Sequence, residues 1–214
     1  MAGLAYLVTI ACGLFAEAYV RTAIRARGPI DTGERLRDLE QLHRLGVLAD
    51  GVMLVSYVVV TAMLYRLFKP VSASASVLAA FFSLVGIAIL ATSMAILMLP
   101  LQVDGSSIAY VALRLHGAAY SITGLFFGPY CALIGWLVVR SRWLPAWIGW
   151  LMMLAGAVFV SDASVDLAAP AIARHVPEAV LLISLIAEGS LAIWLAAFGL
   201  RPTHRKATGL AEEA

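Results

Sequence analysis

The sequence predicts an all-α fold, a six-transmembrane-helix bundle, and three observations predict it. Of 214 residues, 62% are apolar and only 13% charged, where a soluble domain carries roughly 45–50% and about 25%. Mean hydropathy is +0.93, too high for the polar residues to cover a globular core of this size. The apolar residues also fall in six runs, each near the ~20 residues a helix needs to cross the hydrocarbon layer. The runs are apolar all round, whereas outer-membrane strands alternate every second residue. A soluble enzyme, a nucleic-acid binder and a disordered chain are thereby excluded for the chain as a whole. The net charge of +2 favours neither an acidic partner nor DNA. The partners expected are the lipid bilayer and a lipophilic small molecule.

The runs cover 4–24, 45–65, 77–99, 116–139, 144–167 and 179–200, forming one domain over 1–201 with a flexible tail over 202–214. Pro70, Pro100, Pro145 and Pro177 stand at their margins as helix punctuation. The first run reads as a span, not a cleaved leader. Ala16-Glu17-Ala18 has the small-x-small form of a cleavage site, but no Lys or Arg precedes the apolar stretch and Tyr19-Val20 continues it. Between the first two runs, Asp31-Thr32-Gly33-Glu34 offers a capping box, and Leu36, Leu39, Leu42 and Leu45 recur every three residues. This predicts a short amphipathic helix over about 32–44, lying on the membrane surface or capping the bundle with its leucines turned inward. Val103-Asp104-Gly105-Ser106 predicts a turn.

Six spans put both termini on one side. Arg66, Lys69, Arg140, Arg142, Arg201, Arg205 and Lys206 lie near helix ends on that side, which assigns it to the cytoplasm of a plasma membrane. Arg25, Arg27, Arg35 and Arg37 in the first loop nearly balance that count, so the assignment also leans on loop length and an aromatic belt. Trp136, Trp143, Trp147, Trp150 and Trp194 all fall near the proposed inner interface.

The candidate functional residues are those the bilayer makes costly. Glu17, Arg21, Asp50, His116, Asp162 and Glu188 lie in or at the edges of spans, where a charge at the centre costs ~2.5–3.5 kcal/mol even on a lenient scale. Counting ~1.5 Å per residue puts them in the outer half of the bilayer, around one pocket. Glu17 and Arg21 are spaced i,i+4 and form a natural pair. Asp50 has Arg44 or Arg114 as candidate partners. Glu188 has no basic residue within a turn of its own helix, and must be protonated, solvated or paired across helices. Tyr57 and Tyr120 add hydroxyls, while span three, with only Ser83, Thr92 and Ser93, is expected to face lipid or prop the bundle. Cys12 and Cys131 read as small buried hydrophobes. The residues match no metal-ligand spacing, phosphate loop or nucleophile elbow, so neither metal nor cofactor is expected.

The segments GLFAEAYVR, LHRLGVLADGVMLVSY, LHGAAYSITGLFFGPYCALIGWLVVRSRWLPAWIGWLMMLAG and AEGSLAIWL, in that order, resemble the bacterial membrane proteins grouped as domain of unknown function 4386. The resemblance implies a multi-pass fold in a bacterial plasma membrane. It matches Glu17 with Arg21, Arg44 with Asp50, His116 with Tyr120, and Glu188 to the family pattern. Ala118 and Tyr130 depart from it, and Tyr130 replaces a His, which puts a shared activity in doubt.

Three functions fit. In the first, acid–base chemistry acts on a lipophilic molecule, with Glu188 as the acid, Asp50 or Glu17 as the base, His116 as a shuttle and Arg21 as an electrostatic clamp. The second is a proton-coupled carrier or binder of a small cation or lipophile. The third is a structural subunit in which pairs such as Glu17–Arg21 and Asp50–Arg44 only fix helix pairing.

Overall fold

The computed structural model describes residues 1–103, 105–169, 171 and 182–198, among which there is no strand. α1 runs Ala2–Ile24, α2 Pro29–Asp38, α3 Glu40–Phe68 and α4 Ala73–Met98. α5 spans Ser106–Ser141, α6 Ala146–Ala168 and α7 Leu182–Ala197. Five of these helices, α1 and α3 to α6, are long and apolar enough to cross a membrane. α7 lies within the sixth predicted span; its 16 residues rise about 24 Å. The remainder of that span at 179–181 and 199–200, the predicted tail over 202–214, and Asp104 of the predicted turn lie outside the described residues.

Local chemistry sets the helix ends. Ser72 caps α4 by accepting from the Ala75 amide at 3.4 Å. α2 begins at Pro29, just after extended Gly28, because proline is preorganised for a first helical position. The capping box predicted from 31 to 34 is therefore overtaken, and the Thr32 hydroxyl donates instead to the Gly28 carbonyl at 2.8 Å. α5 stops where Arg142 turns left-handed at φ 58°. Its 36 residues make it about 54 Å long.

Small residues let the helices approach. In the α5–α6 hairpin, Gly128 faces Gly156 and Gly135 faces Gly149. A Cβ on Gly135 would lie 2.5 Å from the Gly149 carbonyl oxygen, and one on Gly156 would lie 2.5 Å from that of Gly128. Such contacts stand in for the hydrophobic effect, which does not act between helices in lipid. Hydroxyls add cross-links: Ser56 donates to the Ala5 carbonyl at 2.7 Å, and Thr61 meets Ser83 at 2.6 Å. Gly33 seats α2 against Ser106 at the start of α5. Leu36 is buried there with Val20, Ile24, Leu97 and Leu113, so of the two placements open to the amphipathic helix it takes the cap on the bundle. Trp147 and Trp150 are exposed, and Arg140 lies over the Trp136 ring at 5.2 Å. Trp143 departs from the predicted belt: it is buried and stacked on Phe68.

Gly135→Ala is expected to destabilise the protein by about 1–3 kcal/mol, since only backbone movement makes room. Gly117→Ala, whose Cβ meets nothing within 4 Å, should be neutral or gain up to about 1 kcal/mol from helix propensity. Thermal unfolding of both variants in detergent checks the contrast.

Candidate functional site

Near the end of α1 the chain widens into a π-helical turn over Phe15–Arg21, a geometry that recurs at functional sites. It carries Glu17 and Arg21. α3 runs back alongside and brings in Asp50, and α5 brings in His116. Arg21 is only 2% exposed, and its guanidinium lies between two acids, donating to Asp50 and sitting 2.8 Å from Glu17. Glu17 is also held from the outer side, where Arg25 donates to its Oε1 at 2.9 Å. A buried guanidinium needs such partners, because an unpaired charge there costs several kcal/mol.

His116 completes the cluster, buried at 3% exposure. Its Nδ1 meets the Ser93 hydroxyl at 2.9 Å. Its Nε2 lies 3.6 Å from Glu17 Oε2, and neither of these two buried atoms has a hydrogen-bond partner among the described residues. The 2.8 Å Arg21–Glu17 contact is an ion pair without hydrogen-bond alignment, so Oε2 is charge-paired but not hydrogen-bonded. Ser93 also donates to the Leu90 carbonyl at 2.9 Å; with its single hydrogen used there, Nδ1 must be the donor to Ser93. One turn further along α4, His43 of α3 donates from Nε2 to the Leu97 carbonyl at 2.9 Å. The end of α4 is therefore gripped by two histidines.

Outside this cluster an open cleft of about 790 Å³ runs along α5 and α6. Glu17 lines it from α1, Tyr120 and Ser121 from α5, and Asp162 and Asp166 from α6. Tyr120 also meets the His116 ring edge-on, with centroids 6.0 Å apart. Ser121 donates to Asp166. Glu17 is the member of the charge cluster that reaches this cleft.

The structure thus brings together Glu17, Arg21, Asp50 and His116, with Tyr120 beside them and Asp162 on the cleft wall. It places Arg44 elsewhere. That side chain is exposed and pairs with Glu40 at 2.9 Å, and Arg114 turns to the Tyr110 hydroxyl at 3.2 Å, so Asp50 takes neither and pairs with Arg21. Glu188 and Tyr57 form a second group. The Glu188 carboxyl accepts from Tyr6 at 2.9 Å and from Tyr57 at 3.3 Å, with the Cys131 thiol 4.0 Å away. Tyr130 packs edge-on to Tyr57, its buried hydroxyl unpartnered among the described residues. Tyr6 lies 11 residues from Glu17, Tyr57 seven from Asp50 and Tyr130 fourteen from His116, so the second group sits about 10–20 Å further along the helices.

Tyr6, Arg25 and Ser93 were not among the sequence candidates. Spacing could have found Tyr6, because 11 residues are close to three full turns and return to the face of Glu17. Ser93 carries no such signal. Its role comes from a histidine on another helix, and α4 is a clamped strut where lipid exposure or simple propping was the expectation.

The family model described as domain of unknown function (DUF4386) matches residues 1–199. A protein of the archaeon Archaeoglobus fulgidus, described as uncharacterized, is 32% identical over 110 residues. The match takes in 49% of this chain and 57% of that relative, so the chain spans little more than half the relative's length. No solved structure matches.

Arg21→Met leaves two carboxylates without their shared cation and is expected to destabilise the fold by about 3–5 kcal/mol. Adding Asp50→Leu removes one orphaned charge and should recover a substantial part of that loss. A double-mutant cycle on unfolding in detergent measures the coupling.

Proposed function

The chain belongs to the family of domain of unknown function 4386, and on that premise we propose that it is a six-span plasma-membrane protein performing acid–base chemistry on an amphipathic small molecule held in the cleft. In this reading α7 is the sixth span and both termini face the cytoplasm. The observation that carries the chemistry is the pair of facing buried atoms, Glu17 Oε2 and His116 Nε2, 3.6 Å apart and each without a hydrogen-bond partner among the described residues. Catalytic hydrogen bonds are often long before substrate arrives and tighten in the complex. A small movement of the Glu17 side chain would close this gap and pass one proton between the two.

Each residue then has a task. Glu17 touches the cleft and exchanges the proton with the bound molecule. His116 takes or returns it from behind, its ring held by Ser93. Arg21 pairs with the Glu17 carboxylate and is itself fixed by Asp50, so the movement the base makes toward His116 is a small one. Tyr120 lies at the cleft wall beside the His116 ring and orients the substrate. Asp162 lines the cleft from α6. Glu188, the acid of choice from sequence alone, is too far along the helices to share this step.

A second reading, a proton-coupled carrier, draws on one further observation. Glu188 of α7 accepts from Tyr6 of α1 and Tyr57 of α3, further along the two helices that carry Glu17 and Asp50, as a second proton station would.

The test works with an unidentified substrate. Reconstituted protein incubated in D2O with a mixed lipid extract should introduce deuterium at carbon in one component, read by mass spectrometry, and Glu17→Gln and His116→Ala should both abolish it. Labelling that persists in those variants, or is absent from the wild type, counts against the reading. In vesicles loaded with a pH-sensitive dye, acidification lost in Glu188→Gln would favour the carrier.

A further inference from the structure

The cleft differs from an ordinary lipid-facing groove in the arrangement of its charges. Arg25, Arg27 and Arg114 line it from the chain leaving α1 and from the first turns of α5, while Asp162 and Asp166 line it from the last turns of α6. Among the described residues no ion pair crosses from Arg27 or Arg114 to either aspartate. Arg25 is engaged with Glu17, and Arg114 leans on Tyr110. The two signs are held apart by the fold. Seven residues of α5 separate Arg114 from Ser121, which touches Asp166, and that is about 10 Å along the helix.

Leu113 of α5 and Ala163 of α6 lie among these charges, and Phe159, about one turn before Asp162, continues the α6 lining as an apolar surface. The charged part lies near the ends of α1 and α6 and the start of α5, which is the height of lipid headgroups in a spanning bundle. An anion alone would meet the two aspartates, and a cation alone the three arginines. A molecule with both charges satisfies both walls.

We infer that the cleft binds a zwitterion of the aminoalkyl-phosphate class, its phosphate toward Arg27 and Arg114 and its ammonium toward Asp162 and Asp166. The guanidinium fork suits a phosphate, and adjacent carboxylates suit a primary ammonium. The inference rests on the cleft being the working site and names what it holds. Two sources carry this chemistry, a phosphatidylethanolamine headgroup and free phosphoethanolamine.

Binding to the detergent-purified full chain is measured by thermal shift and titration, using short-chain phosphatidylethanolamine, phosphatidylglycerol with the same chains, and free phosphoethanolamine. The wild type should prefer phosphatidylethanolamine over phosphatidylglycerol by about tenfold, which corresponds to one ion pair's worth of discrimination. Asp162→Asn with Asp166→Asn should erase that preference while leaving phosphatidylglycerol binding intact or stronger, and this retained binding also reports a folded protein. Arg27→Gln with Arg114→Gln should weaken both lipids. Binding of free phosphoethanolamine at comparable strength identifies a soluble ligand, and binding only with acyl chains attached identifies the lipid. Equal affinity for the two lipids in the wild type, or a preference that survives the aspartate replacements, overturns the inference. Measuring binding and deuterium exchange on the same wild-type protein separates the two claims. If zwitterion binding persists but no deuterium exchange is seen even in the wild type, the acid–base reading fails and the ligand assignment stands.

Discussion

A guanidinium that has left water is the constraint from which the site follows. Arg21 is almost wholly enclosed, in a helix long and apolar enough to cross a membrane, and it must find counter-charges inside the protein. One comes from its own helix, Glu17. The other, Asp50, comes from α3. Because the two acids approach from different elements, satisfying Arg21 fixes the rotation and height of α3 against α1. The buried pair therefore specifies an arrangement more than it adds stability, since desolvation offsets much of its Coulombic gain. The wide turn over Phe15–Arg21 belongs to the same solution, as it lets a helix present a long cation inward near its end.

The rest of the bundle is arranged to keep that end still. Facing glycines bring α6 into backbone contact with α5, the helix that carries His116. Histidines 43 and 116 both bond to the last turns of α4. Gly33 seats α2 as a cap over the start of α5. Van der Waals contact between small residues and a few interhelical hydrogen bonds are what lipid leaves available for holding helices together.

The sequence carried some of this in readable form and withheld the rest for physical reasons. Composition and run length were enough for a helical membrane protein, because the hydrocarbon thickness imposes a minimum length on any span. The segments shared with DUF4386 pointed to the family that the model match supports over residues 1–199. Glu17 with Arg21 was legible because i,i+4 neighbours lie on one helix face. The partner of Asp50 was not. Counting residues gives depth along a helix but not the direction it faces, and Arg44, six residues away, turned outward to Glu40. The same limit merged Glu188 with a group from which the phenols of Tyr6 and Tyr57 separate it. Ser93 bonds its own helix at the Leu90 carbonyl, as a serine in a span can. Its second contact, to His116, and the stacking of Trp143 on Phe68 depend on neighbouring helices that spacing along one helix does not reveal.

The length of α5 bears on how any visitor arrives. At about 54 Å it is longer than a hydrocarbon layer of about 30 Å, so within a membrane part of α5 would extend beyond the apolar slab. A solute could then dock from the wet rim, keeping its polar group hydrated until the last contact, and the helices would not need to part to admit it.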